Sequence, residues 1–587
     1  MNKTLFFDIE TNGINPSLIH CLVIIDENDK EFIFTGKDIL KGTELLANNL
    51  IVGHNCIGYD LPVLNRLLNY SHKKELVHDT LCLSRLIYPD ITNSVDMVLL
   101  AGSKISTNVV GKHSLASWGE RIQYKKLEYK KNDPKAFEVF DEEMLKYCVR
   151  DVKITKKIYE MFMSKNFSKE SIDLEHNIAF ITKEQELRGF YFDEKKAQYL
   201  QAKLLSKYNE LKLKLEKTFI DWEEDLGEFI PKVNSKKFGY VKGVPIKKTK
   251  IVKFNPSSRQ HIANRLIKLH NWKPTEFTKT QVPIINEEVL SNLPYPEAKL
   301  LNEYLLIEKR LGMLSEGDNG YLKVVKKNKL HTSYITNVVT GRMSSRQPNL
   351  QNVPNIHSLY GKEFRELFIP KPNYVLVGVD AKSLEAVCFA HYIYNYEGGK
   401  KYADLIVNGD FHTYNMKAAG LQSRELSKTM FYALLYGSSF KRLSEILNCS
   451  ISDAKNILDR FYRQLPFLKQ IKIDIIEKIE AYTVLKAIDK RILTVRSNHA
   501  ALNTLIQSCG AIIMKKALSI LWENLINKDA WVVATIHDEF QIEAKKENAE
   551  FVGQLAVDSI KKAGEHFKLR VPVSASFRVG NNWSETH

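Results

Sequence analysis

About the first 160 residues alternate short apolar runs with amphipathic stretches. The run from Thr4 to Ile9 has the length and the aromatic content of a strand, and a turn followed by a second strand-like run comes next. This alternation predicts an α/β domain. The sharpest boundary after it is expected near residues 165–190.

A different pattern begins at Asp193, whose side chain is a suitable helix N-cap. Apolar side chains then recur at three- and four-residue steps, at Leu200, Leu204, Tyr208, Leu211 and Leu215. Such spacing places them on one face of a helix. The pattern predicts a long, protruding amphipathic helix and not another layer of the sheet.

Charge changes abruptly after this helix. An acidic patch (Asp221, Glu223, Glu224, Asp225 and Glu228) is followed by residues 231–253, which lack Asp and Glu. This second stretch contains Phe238, Tyr240 and the lysines 232, 236, 237, 242, 247, 248, 250 and 253. Glycine, proline and lysine predict a mobile loop, and lysines with aromatic rings suit a nucleic-acid backbone. A solvated linker is the alternative and stays open at this point.

Two later apolar runs each precede acidic residues. Residues 374–379 lead into Asp380 and Glu385, and residues 531–536 lead into Asp538. Two carboxylates delivered by neighbouring strands can hold a pair of Mg²⁺ ions about 4 Å apart, as phosphoryl transfer requires. An Asp at the end of a strand is also a common turn residue, so this prediction depends on the rest of the chain.

The composition supports a nucleic-acid partner in a reducing compartment. The chain has 587 residues, 44% of them apolar, and a formal net charge of +16. The positive surplus favours a polyanionic partner, and a lysine-rich, soluble surface is the alternative explanation. The seven cysteines form no C-x-x-C pair, which argues against structural zinc and a disulfide framework. No apolar run approaches about 18 residues, so we expect a soluble, cytoplasmic protein with no membrane contact.

A second acidic constellation lies near the N-terminus. Asp8 and Glu10 are two residues apart on a strand and therefore point to the same face, and Asp60 follows in the next motif. Tyr147 and Asp151 are one helical turn apart and project together. Four converging carboxylates repel one another unless cations neutralise them, which favours a two-metal hydrolase.

These three elements resemble the proofreading exonuclease domain of DNA polymerases, an RNase H-like fold of the DEDD type with tyrosine in its last motif. The resemblance implies that the four acids bind two Mg²⁺ and that the tyrosine positions the attacking water. The acids are Asp8, Glu10, Asp60 and Asp151, and the tyrosine is Tyr147.

Between the two acid-bearing runs lies a predicted helix with Arg424, Lys428 and Tyr432 on one stripe. Two cations and an aromatic ring on one face can hold a triphosphate and stack on a base or sugar. Taken alone, an ordinary basic surface helix explains the same pattern. A long polar motif at residues 340–352 precedes it, and Asn503 and Gln507 follow, four residues apart on a helix.

In this order the motifs resemble those of family A DNA polymerases, and in detail those of the replicative polymerases of short-tailed bacteriophages, over nearly the whole chain. The resemblance implies an α/β multidomain fold. An RNase H-like exonuclease domain (1–170) would precede a right-hand polymerase domain (171–587). Within the latter, the thumb would span about 190–335, the palm about 336–410 and 490–587, and the fingers about 411–489.

The resemblance also implies a role for each polymerase-site residue. Asp380, Ala381 and Asp538 would hold two Mg²⁺, or Mn²⁺, since oxygen ligands accept either. The triphosphate would be held by His412, Arg424 and Lys428, with Glu385 and Tyr432 beneath the sugar and Tyr436 near the templating base. Contacts to DNA would come from Arg342, Asn503 and Gln507, and His537 would support the metal ligand or the primer end.

The implied partners are primer–template DNA and dNTPs, and the protein is expected to be a monomer. A replicative helicase–primase and a single-strand binding protein are compatible partners. Two departures from the family pattern stand out. Val387 occupies a position where many members have Arg, and the short stretch between Trp222 and Phe254 puts a thioredoxin-type processivity factor in doubt.

Two other functions are compatible with parts of this pattern. A non-catalytic DNA-binding protein is disfavoured because unpaired acids without metal would be costly to bury. A nuclease with a vestigial polymerase half is disfavoured by the intact stripe of Arg424, Lys428 and Tyr432.

Overall fold

The computed structural model describes residues 3–278, 280–482 and 484–587, except the side chain of residue 482. The chain forms two compact units. The first runs to Tyr191 and resumes at His331, and the second is Phe192–Leu330.

An α/β domain opens the first unit. Its strands are β1 (Thr4–Thr11), β2 (Ile19–Asp26), β3 (Glu31–Thr35), β4 (Leu50–Gly53) and β5 (Val77–Asp79). The sheet order is β3-β2-β1-β4-β5, in which β1 pairs antiparallel with β2 and parallel with β4. The helices and the last short strand are α1 (Ile39–Leu46), α2 (Asp60–Leu68), α3 (Thr80–Ile87), α4 (Met97–Ala101), α5 (Leu115–Arg121), α6 (Glu142–Met163), α7 (Lys169–Arg188) and β6 (Phe190–Tyr191).

Both faces of β1 are buried, which explains the continuous apolar run at its start. Phe6 packs with Val152 and Trp118 on one face, and Phe7 packs with Leu64 on the other. Because successive side chains of a strand point to opposite faces, both phenylalanines are core residues. The predicted strand and the α/β character are confirmed.

The second unit is mostly helical and contains one hairpin. Its elements are α8 (Glu194–Thr218), β7 (Trp222–Phe229), β8 (Ile246–Val252), α9 (Arg259–His270), α10 (Glu287–Ser291), α11 (Pro296–Leu311), α12 (Tyr321–Val324) and β9 (Lys329–Leu330). Asp193 caps α8 as predicted, since its side chain accepts a hydrogen bond from the Lys196 backbone N–H. Tyr208 of α8 stacks on Tyr304 of α11, with ring centroids 4.7 Å apart.

The prediction of a mobile loop over residues 231–253 is wrong for its last part. Residues 246–252 form β8, which pairs antiparallel with the acidic strand β7. The pairing places Glu224 opposite Lys250 and Glu228 opposite Lys247. Opposite charges on facing positions stabilise such a pair, which is why this lysine-rich segment forms a strand.

The rest of the first unit surrounds a second sheet. This sheet contains β12 (Tyr374–Ala381), β15 (Ala530–Ile536), β16 (Glu539–Lys545) and β17 (Ala575–Gly580). Two strand pairs lie outside it: β10 (Ser333–Ile335) with β11 (Ser344–Arg346), and β13 (Leu485–Lys486) with β14 (Ile492–Leu493). The helices of this part of the unit are α13 (Gly361–Arg365), α14 (Leu384–Ile393), α15 (Gly399–Asn408), α16 (Phe411–Ala419), α17 (Arg424–Leu435), α18 (Phe440–Leu447), α19 (Ile451–Gln464), α20 (Phe467–Tyr482), α21 (Ala501–Leu525) and α22 (Ala549–His566).

The main sheet here has the order β15-β16-β12-β17, with antiparallel pairing throughout. The expectation that the apolar run of residues 531–536 neighbours the strand of Asp380 is wrong, because β16 lies between them. A tight turn at His537 and Asp538 reverses the chain, so Asp538 stands at the head of β16, beside β12. The acids therefore meet through a hairpin turn.

Among the described residues, one helix, Asn498–Leu525, is long and apolar enough to cross a membrane by length and composition. The protein buries 78% of its most apolar window. Cys509, Ile512 and Ile513 on this helix belong to the main hydrophobic core.

Two candidate active sites

The N-terminal sheet and two helices bring the four predicted acids together. Asp8 and Glu10 project from β1, Asp60 begins α2, and Asp151 lies in α6. The Ile9 backbone N–H, between the two strand acids, donates a 3.3 Å hydrogen bond to Asp60 Oδ1. Strand register and helix docking thus produce one acidic cluster.

Burial raises the pKa of every carboxyl in this cluster, and repulsion from the other acids adds to it for Asp8 and Glu10. Burial is the largest cause for each, and it raises the pKa of Glu10 to about 8 and that of Asp60 to about 7. For Asp8, burial together with repulsion from the other three acids holds the pKa well above its usual range. The pKa of Asp151 rises only to about 6 because Lys126 counteracts the burial. The site is therefore built to attract cations.

Tyr147 shares this cluster through its helix. It lies one turn before Asp151 in α6, and its ring packs against Tyr129, with centroids 5.8 Å apart. Burial, the largest cause, raises the pKa of the Tyr147 phenol, so it is a neutral hydroxyl at neutral pH. A neutral hydroxyl can donate or accept one hydrogen bond to a water molecule.

Two further residues of the cluster were missed by the sequence analysis. The thiol of Cys148 lies 3.9 Å from Asp8 Oδ2, and its Sγ atom is within 4.8 Å of ligand atoms of both strand acids. Lys126, from the segment after α5, forms an ion pair with Asp151 Oδ2. Its ammonium also lies 4.3 Å from the ring centroid of Tyr147. No local motif marks Lys126, which comes from outside all three predicted elements.

The second candidate site lies at one end of the main sheet. Asp380 pairs in register with Glu539, at the end of β12. The Ala381 backbone N–H donates a 3.1 Å hydrogen bond to the Asp538 carbonyl, which fixes the turn beside the strand. Burial of the carboxyl and repulsion from Asp538 raise the pKa of Asp380 to about 6. Asp538 also has a raised pKa, chiefly through burial.

A network of side chains surrounds Glu539, the residue that follows Asp538. Its Oε1 accepts a 2.6 Å hydrogen bond from Trp583 Nε1, and its Oε2 lies 3.1 Å from His587 Nδ1. Although burial raises its pKa, His587, Arg365 and Gln541 together hold it below the usual range. Glu539 is therefore ionised, and both of its carboxylate oxygens have polar partners.

Glu385 connects two other predicted site residues. Its Oε1 accepts a 2.7 Å hydrogen bond from Arg342 Nη2, and its Oε2 accepts one from the Tyr436 hydroxyl. Arg342 and Glu385 also line a cleft with Gln507, His537 and Asp538. The helix α21 contributes Gln507 to this cleft, and its Asn503 has a buried Oδ1 with no hydrogen-bond partner among the described residues.

The predicted basic stripe faces the same region from α16 and α17. Arg424, Lys428 and Tyr432 lie on α17, and the rings of Tyr432 and His412 are 6.0 Å apart. Burial and then the positive charges of Arg424 and Lys428 lower the pKa of His412, whose Nδ1 is buried without a partner in the described chain. Glu385 and Asp538 both raise the pKa of Tyr432, after burial as the main cause. The stripe and the acids thus belong to one site.

Comparison with solved structures identifies the class of this architecture. The chain is similar to a structure titled "POL domain of Pol1 from M. smegmatis complex with DNA primer-template and dNTP", with a TM-score of 0.76. The similarity covers 100% of this chain and 97% of that one, at 17% sequence identity. The fold is therefore that of a DNA polymerase.

Sequence comparisons then give the family. The family description "DNA polymerase family A" matches residues 242–585. The DNA-directed DNA polymerases of Enterobacteria phage T3 and Escherichia phage T7 are each 31% identical to this chain and cover 99% of it, with 100% and 99% of their own lengths matched. The chain belongs to DNA polymerase family A, which confirms the resemblance found in its motifs.

The matches to the phage relatives contain positions that have no counterpart in this chain. The match to the T3 protein extends over 707 positions, whereas the chain has 587 residues, so at least 120 positions of that match have no residue here. Segments that these relatives carry are therefore absent from this chain. DNA polymerase I of Geobacillus stearothermophilus is also similar, at 28% identity over 52% of this chain and 38% of its own length.

Proposed function

We propose that the protein is a template-directed DNA polymerase that extends a primer with dNTPs and proofreads by 3′–5′ exonuclease hydrolysis, each at its own acidic site. The observation that carries the proposal is the pair of separate carboxylate clusters, one around Asp8 and one around Asp380, in a family A chain. Each cluster has acids with raised pKa values, as expected where divalent cations bind.

In the polymerase site, Asp380, Asp538 and the backbone of Ala381 would hold two Mg²⁺, with Mn²⁺ as an alternative. Asp380 and Asp538 fit this role because their carboxylates lie close together, so that repulsion from Asp538 helps to raise the pKa of Asp380. When bound, the ions would neutralise the charge of the reacting phosphate and orient the attacking and leaving oxygens. The chain itself supplies a rigid turn, fixed by the hydrogen bond between Ala381 and Asp538.

The dNTP would lie between this turn and α17. Arg424, Lys428 and His412 would bind the triphosphate as hydrogen-bond donors. Arg424 Nε now donates to Asp410 Oδ2 at 2.9 Å, so this exposed pair must open or share its donors when the nucleotide binds. Tyr432 and Glu385 would lie beneath the sugar and exclude a ribose 2′-hydroxyl.

The nascent base pair would be checked by its shape. Arg342, Asn503 and Gln507 would donate to minor-groove acceptors, which correct pairs present in nearly the same place. Tyr436 would pack near the templating base, and His537 would contact the primer end. Because Glu385 holds both Arg342 and Tyr436, one carboxylate can link the fit of the sugar to that of the base pair.

In the proofreading site, Asp8, Glu10, Asp60 and Asp151 would hold two further divalent ions. The buried Oδ1 of Asp151 has no hydrogen-bond partner among the described residues, as expected of an oxygen that awaits a cation. Tyr147 would orient the attacking water through its neutral hydroxyl. Four acids within one cluster would otherwise repel one another, as their raised pKa values indicate.

We further propose that residues 1–170 are the exonuclease domain and 171–587 the polymerase domain. The bounds of the compact unit Phe192–Leu330 are close to those expected for the thumb, about 190–335, which supports this division. The remaining residues would form palm (336–410 and 490–587) and fingers (411–489). The protein would act as a monomer on primer–template DNA in the bacterial cytoplasm, with helicase–primase and single-strand binding protein as compatible partners.

The test uses a 5′-labelled primer on a longer template with Mg²⁺, with and without dNTPs. We expect the wild-type chain to lengthen the primer with dNTPs and to shorten it without them. Asp538→Ala should lose lengthening and keep shortening, whereas Asp8→Ala with Glu10→Ala should do the reverse. Loss of both activities in either variant would mean that the two sites are not separate, and shortening under every condition would favour a nuclease.

A further inference from the structure

Lys126 forms an ion pair with one of the proofreading acids, although it belongs to none of their motifs. It follows α5 in the chain, and its ammonium forms an ion pair with Asp151 Oδ2. The Lys126 side chain is 25% exposed and the Asp151 side chain 3% exposed. The contact therefore closes the cluster from its solvent side.

The same ammonium contacts the second residue of the helical motif. It lies 4.3 Å from the centroid of the Tyr147 ring, a distance at which a cation is attracted to an aromatic face. One lysine thus fixes the acid and the tyrosine of α6 relative to each other. A surface lysine that pairs with an acid by chance is not expected to contact a second residue of the same motif.

The two oxygens of Asp151 are in different situations. Lys126 engages Oδ2, while Oδ1 is buried and has no hydrogen-bond partner in the described residues. A buried carboxylate oxygen without a partner is costly unless a ligand completes it. A divalent ion that binds Asp151 must therefore enter beside the ammonium or replace it.

We propose that Lys126 is a positioning residue that holds Asp151 and Tyr147 in place without metal and competes with a divalent ion for Asp151. This inference rests on the proposed proofreading site. The ammonium supplies one positive charge to four acids, so it keeps the cluster folded yet leaves it attractive to divalent ions. When a divalent ion enters, Lys126 turns away from Asp151. Because the ion must displace this contact, hydrolysis requires a higher metal concentration than the four acids would need without Lys126.

The test measures metal binding directly. Mn²⁺ is titrated into the full-length protein and free Mn²⁺ is followed by electron paramagnetic resonance, for wild type, Lys126→Met, Lys126→Arg and the neighbouring Lys125→Met. Methionine keeps the length of the side chain and removes its charge, and arginine keeps the charge. Lys125 is exposed and is the matched control.

Asp8→Asn identifies which Mn²⁺ sites belong to the cluster. For those sites we expect Lys126→Met to lower the Kd at least about tenfold, since it removes a cation next to the metal. Lys126→Arg and Lys125→Met should bind as wild type does. The Mg²⁺ concentration for half-maximal primer shortening should fall in parallel.

An unchanged or higher Kd in Lys126→Met, with Lys126→Arg still folded and binding normally, would overturn the role of Lys126 while leaving the proofreading site intact. If Asp8→Asn removes no Mn²⁺ site from the wild-type protein, the metal site itself is wrong, and the inference fails with it. The two failures are therefore distinguishable.

Discussion

Arg342 donates a 2.7 Å hydrogen bond to Glu385, whose other carboxylate oxygen accepts from Tyr436. The three residues come from a loop, from α14 and from the end of α17, so one carboxylate joins three parts of the polymerase site. If the Glu385 carboxylate transmits the fit of the base pair to the sugar, its removal should weaken the contacts of Arg342 and Tyr436 together.

A double-mutant cycle tests this link. Glu385→Gln and Tyr436→Phe should each raise the KM for dNTP, and together they should cost less than the sum of the two by about 1 kcal/mol, because they remove one shared contact. The measurement is steady-state primer extension. The exposed Glu397→Gln should leave KM unchanged, and strictly additive effects would show that the two side chains act independently.

The hairpin β7–β8 gives a second prediction, because its lysines have two kinds of surroundings. Strand lysines face acids, as Lys247 faces Asp225 at 3.1 Å. At the tip, within the described part of the chain, four exposed lysines lack a carboxylate partner: 232, 236, 237 and 242. Phe238 and Tyr240 stack beside them, 5.6 Å apart.

Changing the four tip lysines to Gln should weaken DNA binding and flatten its salt dependence, by about 0.9 in the log–log slope for each lost phosphate contact. Changing the strand lysines 247 and 250 instead should have a smaller effect, since acids of β7 lie opposite them. Affinity is measured at several salt concentrations. An unaltered slope in the tip variant would show that the hairpin does not contact DNA.

The proofreading acids predict how stability depends on pH and metal. Burial raises the pKa of Glu10 to about 8, Asp60 to about 7 and Asp151 to about 6. The folded state therefore holds protons that the unfolded state releases, so without metal the stability should fall as pH rises from about 4.5 to 8. Divalent ions should restore it most strongly at pH 8.

Thermal unfolding with EDTA and with Mn²⁺, at pH 5 and pH 8, measures this effect. Asp8→Asn with Glu10→Gln should reduce both the loss of stability at high pH and the gain from metal. Equal stabilisation by Mn²⁺ in the double variant and in wild type would show that the metal acts elsewhere.

A buried ion cluster, one member of which (Lys515) also lines the cleft of the polymerase site, predicts a large effect on stability. Glu175 Oε1 accepts hydrogen bonds from Arg491 Nη1 at 2.6 Å and from Lys515 Nζ at 2.5 Å, and all three side chains are at most 2% exposed. Glu175→Gln would leave two buried cations short of negative charge and should cost about 3–5 kcal/mol. Glu170→Gln, which breaks an exposed pair with His566, should cost at most about 1 kcal/mol.

Urea unfolding of the two variants measures the difference. Similar midpoints for Glu175→Gln and Glu170→Gln would contradict the importance of the buried cluster.

Local patterns predicted the elements that carry the sites. A spacing of two residues predicts the strand of Asp8. Spacings of three and four residues predict the helix of Tyr147 and Asp151 and the stripe on α17. Long-range partners do not follow from spacing. Glu175 and Lys515 are 340 positions apart, and each alone looks like a surface residue.

The same limit explains what was missed or wrong. Lys126 reaches Asp151 only because α5 and α6 pack together, which no local signal reveals. The strand β8 forms because the acidic strand β7 lies opposite it, and β16 separates β15 from β12 because of the turn at Asp538. Charge pairing and strand order are properties of the folded chain.

The most direct test of the central claim, two acidic sites with opposite reactions, uses a 5′-labelled primer with a mismatched 3′ end, Mg²⁺ and all four dNTPs. We expect wild type to shorten the primer and then extend it to full length. Asp8→Ala with Glu10→Ala should leave the mismatch in place, Asp538→Ala should only shorten the primer, and a mixture of the two proteins should again give full-length product. Full-length product from Asp538→Ala alone, or continued removal of the mismatch by the Asp8 and Glu10 variant, would contradict this account.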